Sequence, residues 1–343
     1  MNKAKTIMAA EIQAAPDVVA QQQAKLMQPM ADLVAQLRRR PPDVVVTCAR
    51  GSSAHAATFG KHLIERYLGF PVSAAAPSIA SIYGRRLRLK HQLFLAVSQS
   101  GRSDDLIAMA HSAKASGALT VAIANSTDSP LAATCDIVLP MGAGSELGVA
   151  ATKTFVATVS ALLRLTAAWT GDKALDAAIG RLPQRLASAG TLDWGKAVET
   201  LATAGSLVTI GRGPTLAMAR EAALKLMETC NLHAEAFSGA EFLHGPVALA
   251  SPRHPVLMFI PGDAAAKGMR QLSNKLRRMS TPMLIAGATP TDQGSLRVLP
   301  ADQPETDAVC LIQSFYALTL RLAEHLGIDP DQPRNLQKVT RTR

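Results

Sequence analysis

The chain has 343 residues, well above the roughly 150 of one average domain, and it is 48% hydrophobic against 18% charged; a single small module and a disordered segment are both excluded. Aromatic residues make up only 4%, which argues against stacking platforms for single-stranded nucleic acid. The formal charge of +10 suits an anionic partner, yet the densest basic clusters, Arg38-Arg39-Arg40 and Arg85-Arg86-Leu87-Arg88, are short, so a phosphate-bearing small molecule is expected and nucleic acid is not.

Residues 1–40 are expected to form a helical segment, with a helix from about Ala9 to Arg40 that wraps a neighbour. Glu11 breaks the apolar stretch before Pro16, so no secretory leader is expected. Apolar β-branched runs then alternate with helical patterns, as in a parallel sheet covered on both faces. Strands are expected at Val44–Thr47, Leu93–Val97, Leu119–Ala124 and Ile137–Leu139, and helices over Ser53–Leu68, Ser103–Ala115 and Val149–Thr170. The most apolar long segment, Phe155–Thr170, is shorter than a spanning helix and contains Arg164; it reads as buried, and no membrane partner is expected. A helical link over Leu175–Ala202 follows, with Gly180, Gly190 and Gly195 as breaks. Cys48, Cys135, Cys230 and Cys310 lie far apart without a C-x-x-C pair, which indicates neither a zinc site nor a disulfide framework and suits a reducing cytoplasm.

The same order then returns. Val46-Thr-Cys-Ala-Arg-Gly51 is matched 162 residues later by Val208-Thr-Ile-Gly-Arg-Gly213, with four of six identical. At that offset Leu93–Val97 falls on Pro255–Phe259 and Thr120–Ala124 on Pro282–Ala286, while Val138-Leu-Pro140 recurs as Val298-Leu-Pro300 after a shift of two. Strands held in register over such a gap imply an internal duplication. The expected architecture is α/β: two tandem flavodoxin-like, doubly wound parallel-sheet lobes over 41–190 and 191–343.

Parallel sheets collect ligands at the carboxyl ends of their strands. There the first lobe places Arg50-Gly51-Ser52-Ser53 and Ser98-Gln99-Ser100-Gly101-Arg102-Ser103, each opening a helix. Helix amino ends offer free N–H groups and Ser adds hydroxyls, which together suit a phosphate. Ser52, Ser53 and Ser103 also suit plain helix caps, but two such loops at adjacent strand ends favour a cradle. The second lobe carries Ile260, Pro261, Gly262 and Ala265 in place of Ser98, Gln99, Ser100 and Ser103, so only the first lobe is expected to bind phosphate. The Gly211-Arg-Gly-Pro214 loop begins like a dinucleotide fingerprint but lacks its third glycine, and Pro214 removes an N–H.

The densest polar stretch runs from Glu221 to Pro246. Glu221, Lys225 and Glu228 share one helix face; such rows are most often solvated salt bridges, and His233, Glu235 and His244 would be ordinary cap, packing or turn residues. Their concentration beside a phosphate lobe, without metal-ligand spacing, suits proton transfer on a sugar phosphate.

Ser98-Gln-Ser-Gly101, Val149-Ala-Ala-Thr-Lys153, Ala223-Leu-Lys225-Leu-Met-Glu228, His233-Ala-Glu-Ala236, Glu241-Phe-Leu-His-Gly-Pro246 and Pro333-Arg-Asn-Leu-Gln-Lys338 resemble, in order, the tandem sugar-isomerase (SIS) domain family. The resemblance covers residues 40 to 343 and is to the isomerase half of glucosamine-6-phosphate synthase and, most closely, to stand-alone SIS-type glucosamine-6-phosphate deaminases. The synthase's glutaminase half, which uses an N-terminal cysteine nucleophile, has no counterpart, since the first cysteine is Cys48. The resemblance implies substrate and phosphate contacts from Ser52, Ser53, Ser98, Gln99, Ser100, Ser103 and Val149, and catalysis by Glu228, His244, Lys225 and Lys338. Glu228 would move a proton between C1 and C2, and His244 would open the sugar ring, supplied by the partner of a homodimer with shared sites. Lys225 and Lys338 would stabilise developing charge, with Lys338 also a Schiff-base candidate. No metal or organic cofactor is implied. Arg50 and Arg102 depart from the pattern, standing where the synthase has a cysteine and an acidic residue. Beside deamination of glucosamine 6-phosphate stand two alternatives: action on another 6-phosphorylated amino or aminoacyl sugar such as galactosamine 6-phosphate, and a non-catalytic sugar-phosphate sensor.

Overall fold

A computed structural model describes residues 6–287 and 294–338. After the helix α1 (Ile7–Arg39), the first sheet is built from β1 (Val45–Ala49), β2 (Val72–Ala74), β3 (Leu93–Ser98), β4 (Leu119–Ala124) and β5 (Ile137–Pro140), in the order β2-β1-β3-β4-β5 and parallel throughout. Helices α2 (Gly51–Leu68), α3 (Ser78–Ser81), α4 (Asp104–Ala115) and α5 (Pro130–Thr134) connect these strands, and α6 (Lys153–Thr170), α7 (Lys173–Ala189) and α8 (Lys196–Ala202) follow.

The second sheet repeats the design. Its strands are β6 (Ser206–Gly211), β7 (His233–Ser238), β8 (Val256–Phe259), β9 (Met283–Ala286) and β10 (Ser295–Leu296), in the order β10-β9-β8-β6-β7, again all parallel. Helix α9 (Thr215–Cys230) joins β6 to β7, α10 (Ala266–Arg278) follows β8, and α11 (Pro304–His325) comes last. Counted from its own first strand, each sheet has the order 2-1-3-4-5 of a flavodoxin-like lobe, so the duplication read from sequence is the architecture.

The strands are apolar on both faces because helices cover both. Val46, Cys48, Phe94, Ala96, Ala122 and Ala124 share one cluster with Leu106, Met109 and Ala110 of α4. The alternate residues Val45, Leu93, Leu95, Val97 and Ile123 are equally buried on the other face. Ile210, Val256 and Met258 likewise pack with Met269, Leu272 and Leu276 of α10. Each Val, Leu, Ile, Phe or Met among them contributes about 1.5–3 kcal/mol when fully buried.

Several boundaries depart from expectation. The edge strands β2 and β7 were not foreseen, and residues 141–152 are a loop, so α6 starts at Lys153 and not at Val149. Gly180 lies inside α7, where it has open space, and does not break the helix. Val298-Leu299-Pro300 is not the last strand of the second sheet. Register decides the point: Ile285 pairs with Ser295 as Ile123 pairs with Leu139, which puts β10 earlier in the chain. Helix α1 also packs on its own chain. Leu26, Leu33 and Leu37 are at most 2% exposed, and Gln22 Nε2 donates to the carbonyls of Met141 and Ala157, both at 2.8 Å.

The described residues form two compact units. The first-lobe unit holds 17–146, 153–180 and 337–338; the second-lobe unit holds 6–16, 147–152 and the described part of 181–336.

Candidate active site

In the first lobe β1 and β3 lie side by side, Ala49 opposite Val97, so the loops that follow them emerge together at the carboxyl edge. Helix α2 begins at Gly51 with Arg50 as its N-cap, which puts Ser52 and Ser53 in the first turn and not ahead of it. Ser103 is the N-cap of α4 in an extended conformation, and its hydroxyl makes no capping bond, so capping does not account for that serine. The loop between them is locked from within: Ser98 Oγ accepts from the Gly101 N–H at 3.0 Å, and Ser100 Oγ accepts from the Arg102 N–H at 3.3 Å. Gly101 has φ +63°, and a Cβ there would fall 2.0 Å from Ser129 Oγ, so only glycine lets this turn sit against the β4–α5 connection. Ser98 is buried, whereas Ser52, Ser53, Gln99, Ser100 and Ser103 are half-buried and within reach of solvent. The structure therefore gathers all six predicted phosphate residues of this lobe at two adjacent strand ends.

Lys338 also belongs to this unit. Its Nζ lies 3.0 Å from Glu146 Oε2. Glu146 itself is buried and accepts from the Thr154 N–H at 3.1 Å and the Thr154 hydroxyl at 2.6 Å. Glu146 was missed by sequence reasoning, and its only early signal was its place just ahead of the 149–153 motif. Val149 stands in 147–152, within the second-lobe unit, where the carboxylate of Glu11 accepts from the N–H groups of Leu147 and Gly148.

The second lobe is built differently. Gly211 closes tightly on α9, since a Cβ there would lie 2.2 Å from the Thr215 carbonyl oxygen. The Thr215 hydroxyl is consumed by accepting from the Arg212 N–H at 3.0 Å and donating to the Phe259 carbonyl at 2.7 Å. This loop is a packed turn and holds no hydroxyl-lined concavity. The chemistry sits on α9 instead. Glu221 and Lys225 are completely buried and the Glu228 side chain is 20% exposed, so the row is not the solvated one that its spacing alone would give. Lys225 Nζ contacts Glu228 Oε2 and lies 3.5 Å from Glu221 Oε1. Tyr316 of α11 donates its hydroxyl to Glu221 Oε1 at 3.2 Å. A buried ammonium between two carboxylates persists only because each charge is paired.

His244 ends a single 3-10 turn, Glu241–His244, anchored by the buried Phe242 against Phe237, and its imidazole is exposed. Because β6 and β7 are parallel, α9 must run back along the sheet between them. Glu228 accordingly lies near the amino end of β7 and His244 beyond its carboxyl end, on the order of 15 Å apart along a strand that rises about 3.3 Å per residue. The fold thus sets the two residues toward opposite ends of β7. Among the described residues no group of three or more His, Cys, Asp and Glu is arranged to hold a metal ion, and no helix is long and apolar enough to cross a membrane.

Two flavodoxin-like lobes, one carrying ligand loops at its strand ends and the other a buried charged row on its first helix, define a class of duplicated α/β proteins. The SIS domain profile matches residues 40–168 and 200–315, and the chain belongs to that family. It is 33% identical over 311 residues to the glutamine–fructose-6-phosphate aminotransferase [isomerizing] of Caulobacter vibrioides, covering 86% of this chain and 51% of that protein. The chain thus spans about half the length of the curated relatives it matches and is homologous to their isomerase half. A solved structure from Silicibacter pomeroyi, provisionally assigned as a phosphosugar isomerase, is 43% identical with a TM-score of 0.91, covering 95% of this chain and 100% of that one. A Thermotoga maritima glucosamine-6-phosphate deaminase shares the fold, with a TM-score of 0.77 at 21% identity, covering 98% of this chain and 100% of that one.

Proposed function

We propose that this protein deaminates an amino-sugar phosphate by way of an aldose–ketose isomerisation, converting glucosamine 6-phosphate and water to fructose 6-phosphate and ammonia. The observation that carries this reading is the buried Lys225 in contact with Glu228, which sets an ammonium against the carboxylate that is to take a proton from carbon. The hydroxyl loops of the first lobe grip the phosphate. After ring opening at His244, Glu228 removes the C2 proton of the open-chain amino aldose to give an enolamine, and a proton is then delivered to C1. The resulting C2 imine adds water and expels ammonia, leaving the ketose. Lys225 balances the charge that develops on the sugar oxygens, and Lys338, paired with Glu146, serves as a second cation or as the amine of a Schiff base.

The separation of Glu228 and His244 along β7 supports a homodimer in which each active site takes its histidine from the second copy. Four free, buried cysteines support a reducing compartment such as the cytoplasm. Incubating the purified protein with glucosamine 6-phosphate should yield equal amounts of ammonia and fructose 6-phosphate. Consumption of galactosamine 6-phosphate alone would move the reading to a different sugar, and no turnover of any phosphosugar would leave only a sensor.

A further inference from the structure

Arg50, the N-cap of α2, reaches the second residue of α4: its Nε and a terminal nitrogen lie 3.0 and 2.8 Å from Asp105 Oδ2. Asp105 is 2% exposed while the Arg50 side chain is 52% exposed, so the carboxylate is fixed in the protein and the guanidinium closes over it from the solvent side. Asp105 Oδ1 accepts from the Leu106 N–H at 2.8 Å, which fixes the carboxylate further within its own turn. The pair therefore ties the turn that carries Ser52 and Ser53 to the turn that follows Ser103 by a charge-assisted contact. Its seat at the end of β1 is felt by Cys48, whose thiol is pushed up to about 12, first by burial and then by the charge of Asp105, with Arg50 opposing.

The duplicated lobe supplies an internal control. Moved by 162 residues, Arg50 and Asp105 become Arg212 and Lys267, two cations, in the lobe whose loops carry Ile260, Pro261, Gly262 and Ala265 in place of the hydroxyls. The tie and the hydroxyl loops occur in the same lobe and are missing from the same lobe.

We propose that Arg50 and Asp105 form a positioning pair for the phosphate cradle. The pair fixes the spacing of the α2 and α4 amino ends so that both loops close on one phosphate monoester, and it holds the Arg50 guanidinium on Asp105 and off the ligand. Arg50 is then a specificity residue by geometry and not by contact: a correctly spaced cradle accepts a compact monoester and disfavours a bulkier or diester phosphate. This inference rests on the reading of the two loops as the phosphate site.

The test is calorimetric titration of fructose 6-phosphate and of inorganic phosphate into the full chain and five variants, with circular dichroism confirming the fold of each. Arg50→Gln and Asp105→Asn should each weaken binding about tenfold, the loss expected for one charge-assisted hydrogen bond. The double variant should be no weaker than either single one within about twofold, because both changes break the same link. Arg50→Lys should recover most of the affinity, and turnover of Arg50→Gln at saturating substrate should stay within about twofold while KM rises. Additive losses, or an Asp105→Asn protein that binds as well as or better than the parent, would overturn the clamp, because a released Arg50 acting directly on phosphate gives that sign. Should Asp105→Asn fail to fold, the contrast of Arg50→Gln with Arg50→Lys decides alone. The fifth variant, Ser98→Ala/Ser100→Ala, separates the two readings. If it loses binding while Arg50→Gln does not, the clamp falls and the cradle stands; if it binds like the parent, the cradle falls and the clamp with it.

Discussion

The two lobes share a topology and divide their polarity in opposite ways. In the first, the loop after the third strand is polar and the helix after the first strand is apolar: Phe59 and Leu63 of α2 are fully buried core. In the second, the loop is apolar, and 162 residues on from Phe59, Leu63 and Arg66 the helix carries Glu221, Lys225 and Glu228. A core position of one copy thus became a buried ion-pair position of the other, which the fold accepts because Tyr316 and the row itself satisfy the charges. Duplication frees one copy to lose a loop and gain a helix face, and the difference matches the division of phosphate binding and proton transfer proposed above.

That division can be broken from the second lobe first. Glu228→Gln should lower kcat roughly 100- to 10,000-fold with KM little changed, the range typical of losing a general base. Loss of C2-proton exchange with solvent is the accompanying signature; exchange at the parental rate would remove Glu228 from that role. Lys225→Met removes the ammonium set between the buried Glu221 and Glu228, and should cost about 3–5 kcal/mol in urea unfolding. Installing the first-lobe residues together, Glu221→Phe with Lys225→Leu, should recover most of that stability and none of the activity. If the recovery failed, the two helices would not be interchangeable as cores.

The first lobe should answer to its turn. Gly101→Ala places a Cβ against Ser129 at positive φ and should cost about 1–3 kcal/mol together with phosphate binding. Gly262 has no close neighbour and no left-handed backbone, so Gly262→Ala in the second lobe should stay within about 0.5 kcal/mol. The smallest contrast is one that should not appear. Burial raises Cys48 and Cys310 to about 12 and Cys135 and Cys230 to about 11, two thiols in each lobe. Iodoacetamide at pH 8 should therefore leave all four unmodified in the folded chain and label them only in denaturant. The sign follows for stability: these thiols favour the folded state below their ordinary pKa of 9.0, and that contribution falls away as pH climbs toward 11 and 12.

The central strands and their duplication were legible because strands buried on both faces write continuous β-branched runs into the chain. Two of the edge strands were not: β2 is three residues long, and β7 reads His-Ala-Glu-Ala-Phe-Ser, half exposed and polar. The hydroxyl loops were legible as composition at strand ends. The burial of the α9 row was not, because its cover comes from Tyr316, 95 residues downstream of Glu221. Separations of 55 and 192 residues likewise hid the Arg50–Asp105 and Lys338–Glu146 pairs, which only the folded chain brings together.

Glu146 and Lys338 are separated by 192 residues, and the whole second sheet is encoded between them. On the ribosome the first lobe can collapse around its own sheet long before that lysine exists. Under the proposed function, Lys338 joins Glu146 only after translation has passed the entire second lobe, so a nascent or prematurely terminated chain would hold a sugar phosphate before it is equipped to react with it.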